Sequence, residues 1–532
     1  MRTALLSVYD KKGIIDFAKG LLALGNWQIM ASGGTALTLK GAGIAVKDVA
    51  DLVGGGAILG HRVVTLSREV HAGLLAQPTK ADLKELRNLG IPFIDLVCVD
   101  LYPLAEEVAK PSATMESVIE KTDIGGPTML RSAAKGRRIV ISQPSQRNQV
   151  LAWLKAGEPD SKNFLDKLAA DAEAVIADYC IDSARYSSGG TYDGFVGKAT
   201  TQCKYGENAP QAPARLFSVS DDPLSPSKLN LLSGTEPSFN NLAEIDRQLQ
   251  TITHIAASFD KNFGKTPLIA LGTKHGNPCG AAVGDDSVKV IRKMVMGDPR
   301  AIFGGLVMLN FPVDKKVAEE LLAYGMSGGR RLLDGISAPA FSKDAIKMME
   351  RKGDKCRFLA NPNLKRLGKN SLDKAPRFRY VRGGFLQQPN YTFVLNLNSK
   401  DVATNGRLTQ TQKRGIILAW AICATSNSNT ITLVKNDQLV GNGVGQQDRV
   451  SCCELAIKRA RDAGHDVEDA VAASDSFFPF PDGPETLAKA GIKTIWTTSG
   501  SVRDTDTEAL CKKKGVTLCW APDAIARGFF GH

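Results

Sequence analysis

Short apolar runs alternate with amphipathic stretches along almost the whole chain. Residues 5–8 read as a buried strand. Ile14, Ile15, Ala18, Leu21 and Leu22 then recur at helical spacing, and Gly25 follows as a stop. Residues 27–31, 93–99 and 139–141 predict further strands, with helical patterns over 150–154 and 164–177. This alternation predicts an α/β domain with a mainly parallel, doubly wound sheet. The small, polar stretch Tyr186-Ser187-Ser188-Gly189-Gly190 marks a boundary, giving expected domains 1–190 and 191–532. In the second, Pro267-Leu268-Ile269-Ala270-Leu271 predicts a buried strand. Asp286 or Ser287 caps a helix with Val288, Ile291 and Val295 inward. Residues 414–424 form an apolar helix, and 378–381, 391–395, 493–498 and 516–520 read as strands.

Composition narrows the class. A chain of 532 residues exceeds one hydrophobic core. Its longest apolar run, 416–424, is half the roughly 18 residues of a membrane span, so no membrane association is expected. Met1-Arg2-Thr3 leads directly into a strand-like run without a secretory pattern. The ten cysteines show neither a C-x-x-C pair nor Cys/His ligand spacing, which argues against a zinc site or disulfide framework and for a cytoplasmic protein with reduced thiols. The net charge of +12 suits anionic partners. No nucleic-acid module accompanies the basic residues of 365–382, so phosphorylated small molecules are the economical reading. A merely soluble, positive surface explains the charge equally well.

Several stretches carry candidate chemistry. Lys274-His275-Gly276-Asn277-Pro278-Cys279-Gly280 follows the 267–271 strand, and Gly-Asn-Pro is read as stopping it in a turn. In a parallel sheet that turn lies at the carboxyl edge, where open α/β sheets bind ligands. There a partly buried His275 suits a general base and Lys274 an electrostatic partner for developing negative charge. A polar turn with two solvated side chains is the alternative. Ser32-Gly33-Gly34-Thr35 lies between a strand and a helix, an arrangement that offers backbone N–H groups to a phosphate. Residues 55–62 imitate a P-loop, but His61 and Arg62 stand where Lys and Ser/Thr are needed, so no Walker A site is assigned.

These segments, taken in order, resemble the bifunctional 5-aminoimidazole-4-carboxamide ribonucleotide (AICAR) formyltransferase/IMP cyclohydrolases. The first third is similar in Ser7-Val8-Tyr9-Asp10-Lys11, Ala31 to Ala36, Arg62 to Leu66, Asp100-Leu101-Tyr102-Pro103 and Asp123-Ile124-Gly125-Gly126. The resemblance implies a methylglyoxal-synthase-like cyclohydrolase domain. In it Ser7, Ser32, Gly33, Gly34, Thr35, Arg62 and Thr65 would bind nucleotide, with Tyr102, Asp123 and Lys135 closest to the chemistry. The remainder is similar in Lys204-Tyr205-Gly206-Glu207-Asn208, the Lys274-His275 stretch, Asp298 to Gly305, Asp334 to Pro339, Thr425 to Asn429, Gly441 to Arg449 and Ser474 to Asp482. It implies a formyltransferase domain of two cytidine-deaminase-like units without a metal. There Lys274, His275 and Asn427 would be catalytic, with Lys204, Tyr205, Asn208, Phe303, Gly304, Asp334, Arg449, Phe480, Asp482 and Arg527 binding substrates.

The resemblance further implies 10-formyltetrahydrofolate as co-substrate and a homodimer. Three departures stand out: Val64 replaces a lysine implicated in cyclisation, Pro210 replaces a histidine, and Ile422-Cys423 replace a lysine and a tyrosine. The expected function is the last two steps to IMP: formyl transfer to AICAR, then ring closure. The alternatives are a formyltransferase with a weak or inactive cyclohydrolase, and a purine-nucleotide-binding regulator.

Overall fold

The computed structural model describes residues 1–60 and 62–531. The chain forms two compact units, Met1–Gly197 and Lys198–His532. Tyr186 and Ser187, read from the sequence as linker, are instead the last turn of the Ser161–Ser187 helix.

The first unit is built on five strands: β1 (Arg2–Val8), β2 (Trp27–Ala31), β3 (Val46–Asp48), β4 (Leu96–Asp100) and β5 (Ile139–Ile141). They stand in the order β3-β2-β1-β4-β5, and every pairing is parallel. Ala4, Leu5 and Leu6 are all fully buried, as a parallel strand covered on both faces requires. The Ile14–Leu22 helix lays Ile14, Phe17, Ala18 and Leu21 onto this core. Because the strands run one way, Tyr9, Ser32 and Leu101 leave the sheet at the same edge.

The second unit begins with a hairpin, β6 (Lys198–Cys203) and β7 (Ala214–Ser218). The strands that follow are β8 (Asn230–Ser233), β9 (Leu268–Lys274), β10 (Asn277–Gly284), β11 (Leu306–Leu309), β12 (Gly335–Ala338) and β13 (Arg357–Ala360). A second separate hairpin is β14 (Arg377–Val381) with β15 (Gly384–Gln388). The chain closes with β16 (Ala403–Thr404), β17 (Ile431–Lys435), β18 (Gln438–Gly443), β19 (Val471–Ser474), β20 (Thr494–Ser499) and β21 (Thr517–Pro522). Twelve of these strands form one mixed sheet, ordered β16-β21-β20-β19-β17-β18-β10-β9-β11-β12-β13-β8.

The order contains the same unit twice. β10-β9-β11-β12-β13 and β18-β17-β19-β20-β21 share one pattern: an antiparallel hairpin, an antiparallel neighbour, then two parallel additions. The copies join where β10 meets β18. Alternation along each strand sorts the faces. Ile269, Leu271, Val434 and Ala473 pack on one side with the Phe239–Phe263 and Gln410–Cys423 helices. Ala270 and Val307, and Leu433 and Ala472, point to the other side, into two further cores.

Residues 391–395 are not a strand: side chains of the 239–263 helix take up their carbonyls, Gln250 donating to Tyr391 O at 3.3 Å and Asn262 to Leu395 O at 2.8 Å. The apolar pattern there reflects packing against that helix. All ten cysteines are free, and Cys180 is the exposed one. Among the described residues no helix is long and apolar enough to cross a membrane, and no cluster of three or more His, Cys, Asp or Glu could hold a metal ion.

Candidate active sites

In the second unit Lys274 and Asn277 are paired across a two-residue turn, His275-Gly276. Both turn residues have positive φ, 52° and 72°, as a type I′ hairpin demands. This corrects the expected geometry. β9 is antiparallel to both neighbours, so the turn is a hairpin loop, and Asn277 and Pro278 open the next strand instead of ending the last. Nor is His275 partly buried: its side chain is 85% exposed. Glu244, on the 239–263 helix, faces it, with Oε1 4.0 Å from His275 Nδ1. Burial raises the Glu244 carboxyl, while the His275 backbone N–H and the neighbouring imidazole and Lys274 pull it down.

Lys274 turns the other way and donates to the carbonyls of Phe303 and Gly304, each at 3.0 Å. Gly304 has φ +71°, and a Cβ there would stand 3.0 Å from the lysine Nζ, so the approach needs glycine. The Asp334 backbone N–H donates to Gly305 O at 3.0 Å, while its carboxylate pairs with Arg351 at 2.9 Å. A cavity of about 430 Å³ opens beside the turn, within the range of small-molecule sites. Lys274, His275 and Asn427 all line it, together with Asp298, Arg459 and an apolar wall including Leu439. Asn427 follows the Gln410–Cys423 helix. Arg247, from the 239–263 helix, donates through Nη2 to Asn427 Oδ1 at 2.8 Å and to Thr425 O at 3.2 Å.

In the first unit the polar groups gather at the carboxyl edge of the sheet. Ser7 and Ser32 hydroxyls share a hydrogen bond of 2.9 Å. Thr35 is buried and ties its hydroxyl to Val8, accepting from N–H at 3.1 Å and donating to O at 3.2 Å. Gly33 has φ +43° and starts the Gly33–Gly41 helix; the Thr35 and Ala36 N–H groups donate to Ser32 O, while those of Gly33 and Gly34 precede the first intrahelical bond. Thr65 Oγ1 sits 2.8 Å from where a Gly125 Cβ would be, next to the Gly125–Lys135 helix. The Asp123 carboxylate accepts from Gly126 N–H at 2.9 Å. Burial raises its carboxyl despite the N–H groups of Gly126, Tyr102 and Gly125. Tyr102 is raised by burial and then by Asp123, Tyr9 and Glu120, and its ring meets Tyr9 edge-on at 5.4 Å. Arg62 is exposed and paired with Glu120 at 3.0 Å. His61 lies outside the described residues.

The family model of the AICARFT/IMPCHase bienzyme matches residues 133–459, and that of the MGS-like domain matches 13–128. A "bifunctional purine biosynthesis protein PurH" of Oceanobacillus iheyensis is 35% identical over 530 residues, covering 98% of each chain. The chain belongs to the AICARFT/IMPCHase bienzyme family. A PurH of Staphylococcus carnosus is likewise 35% identical, over 97% of this chain and 98% of its own. A solved structure titled "Crystal structure of ForH" aligns with 36% of this chain and all of its own at 36% identity, with a TM-score of 0.32, too low for a structural argument.

Within this bienzyme chain several expected site residues stand away from the centres just described. Lys135 is exposed at the far end of the helix that Gly125 begins, ten residues and about 15 Å along its axis. Within one chain the length of the helix sets it apart from Asp123. Arg449 turns inward onto the buried Asp475 and donates to Ser474 Oγ at 3.0 Å, so its guanidinium is committed within the fold. Arg527 pairs with Asp523, and Asp482 accepts from Gly483 N–H at 2.8 Å at the start of its helix. Phe480 is exposed, with Arg503 5.9 Å from its ring centre. Lys204, Tyr205 and Asn208 sit in the loop after β6, where Gln211 accepts from Asn208 N–H at 2.7 Å. None of these second-unit residues lines the cavity.

Sequence reasoning missed Glu244, Arg247 and Arg459. For the first two a signal existed: Asn240, Glu244 and Arg247 fall at i, i+4 and i+7 of one helix, a polar stripe beside an apolar one. Asn240 donates to Glu207 O at 3.3 Å, so that stripe meets the 204–211 loop, His275 and Asn427 in turn. Lys11 was missed in the first unit. It reaches back to Val8 O and, at 3.2 Å, Tyr9 O, close to Gly34, and burial lowers its ammonium against Asp100 and Asp10.

Proposed function

We propose that this chain transfers a formyl group from 10-formyltetrahydrofolate to AICAR and then closes the product to IMP. Formyl transfer belongs to the second unit and cyclisation to the first. The observation that carries the reading is the convergence of Lys274, His275 and Asn427 on one cavity in a full-length member of the family. In the transfer, the AICAR 5-amino nitrogen attacks the formyl carbon and His275 accepts the amine proton. The tetrahydrofolate nitrogen leaves with the electron pair of the broken C–N bond and takes up a proton. Lys274 keeps one N–H beyond the two given to carbonyls, available to the developing oxyanion. In the cyclisation, the carboxamide nitrogen adds to the formyl carbon and water leaves, with Tyr102 and Asp123 as the neighbouring acid–base groups. The working form is a cytoplasmic homodimer acting on small molecules.

A second reading, formyl transfer with slow ring closure, is favoured by Val64, which packs partly buried against the first-unit core and carries no donor. One assay following the two reactions separately tests both readings. AICAR with formyl donor should give formylated product, and that product supplied alone should give IMP. Binding of AICAR without turnover in either arm would instead identify a nucleotide-binding regulator.

A further inference from the structure

Arg247 hydrogen-bonds directly to one of the side chains that line the formyl-transfer cavity, Asn427. A guanidinium has only donors, so the carboxamide atom 2.8 Å from its Nη2 is necessarily the oxygen, and the Asn427 amino group is turned away. The same Nη2 donates to Thr425 O at 3.2 Å, which fixes the segment carrying Asn427. Arg247 is itself held by stacking on Phe530, 4.5 Å from the ring centre, and Arg377 covers that ring at 3.5 Å. Phe530 N–H donates to Ser426 O at 2.9 Å, closing the frame around residues 425–428. Burial and the neighbouring Arg377 lower the Arg247 guanidinium to about 10, so its charge persists at neutral pH.

We propose that Arg247 is a positioning residue for formyl transfer, which occupies the Asn427 carbonyl oxygen and so makes Asn427 a one-way hydrogen-bond donor to the formyl oxygen of the substrate. This rests on the catalytic reading of Asn427. It narrows that reading, since a free carboxamide could equally accept from the amine. With its oxygen held, Asn427 stabilises the oxyanion as the formyl carbon becomes tetrahedral, and it cannot serve as acceptor for the attacking nitrogen.

The test is single-turnover formyl transfer with full-length protein and five variants: Asn427→Ala, Asn427→Asp, Arg247→Ala, Arg247→Lys and the double alanine. Asn427→Ala should lose about 10²–10³-fold in rate, the scale of one oxyanion donor. Arg247→Ala should lose roughly 10–10²-fold, as expected for a misplaced group, with a much smaller change in KM for AICAR. In the Asn427→Ala background Arg247→Ala should cost no more than about twofold, because its effect runs through Asn427. Arg247→Lys retains a donor and should recover part of the rate.

Asn427→Asp is nearly isosteric and pairs with Arg247, so it should fold and melt no lower than wild type. It presents only acceptors, and its rate should fall as far as with alanine. This variant keeps the test sharp even if Arg247→Ala does not fold. Undiminished loss from Arg247→Ala in the double variant, or near-normal turnover of Asn427→Asp, would overturn the proposal. Near-normal turnover of Asn427→Ala would instead overturn the reading of Asn427 on which it stands.

Discussion

The two candidate sites are assembled in different ways. In the first unit, parallel strands end together, and each loop beyond an end delivers a group: Ser7 and Tyr9 around the end of β1, Ser32 after β2, Tyr102 after β4. Topology does the collecting, and neighbouring side chains refine it. In the second unit the candidate groups come from a hairpin turn and the segment after a helix, and a third element, the 239–263 helix, meets both: Glu244 faces His275 at 4.0 Å and Arg247 donates to Asn427 at 2.8 Å. A site gathered by strand ends takes its frame from the backbone more than from any one side chain. A site aligned by side-chain contacts depends on partners that touch no substrate.

The largest expected break in this comparison is His275→Ala. It should lower formyl transfer by roughly 10²–10⁴-fold and leave ring closure of supplied intermediate untouched. Equal loss in both assays would mean that His275 supports the fold instead. Next comes Val64→Lys, which should accelerate ring closure by up to about 10²-fold by restoring a cationic donor. Arg68, four residues on and also cationic, begins the Arg68–Leu75 helix, is 78% exposed and bonds its neighbour Glu69 at 3.2 Å. Arg68→Ala should therefore leave closure within about twofold, in line with an exposed surface pair. A collapse of the rate would show that Arg68 reaches the intermediate.

Asp123→Asn separates stability from activity in the first unit. Burial raises this carboxyl above its ordinary 3.8, so the folded chain holds the proton more tightly than the unfolded one. Stability is then lost as pH rises from 3.8 through the raised value, and the penalty is complete above it. At pH 7 the variant should melt higher, while ring closure slows. Scanning calorimetry should show the difference shrinking as pH falls towards 3.8. A variant that melts lower at pH 7 would assign the carboxylate a net stabilising role. Ser238→Ala acts on stability alone, by removing the capping box that starts the 239–263 helix. It should cost about 1 kcal/mol in the second unit only. A lower melting of the first unit as well would show that the cap's effect is not local to its helix.

Much of the first unit was legible. Four of its five strands hold apolar runs, whereas β3, Val46-Lys47-Asp48, holds none and was missed; the Ser32-Gly33-Gly34-Thr35 turn falls at the predicted strand–helix junction. The place of Lys135 at the far end of its helix was not legible, because family order gives sequence position and not distance along a helix. In the second unit the 267–271 run was correctly a strand, but its direction was not legible. An apolar run reads the same in a parallel or antiparallel sheet, and Gly276 signals a turn without saying whether a helix or a strand follows. The pairing of Arg247 with Asn427, 180 residues apart, leaves no local trace at all. The sheet's twofold repeat was visible only through the family resemblance, because its copies share strand order and not an evident sequence period.

The distribution of thiols has a practical side for spectroscopy. Eight of the ten cysteines are buried, and Cys279 is half-covered, with burial pushing its thiol up to about 12. A maleimide dye in mild conditions therefore meets one accessible thiol, Cys180 on the Ser161–Ser187 helix. That gives a single fluorophore in the first unit without engineering a cysteine-free background. Cys279 lines the cavity of the second unit, so its slower labelling would report ligand occupancy there, in the same sample and against an internal standard.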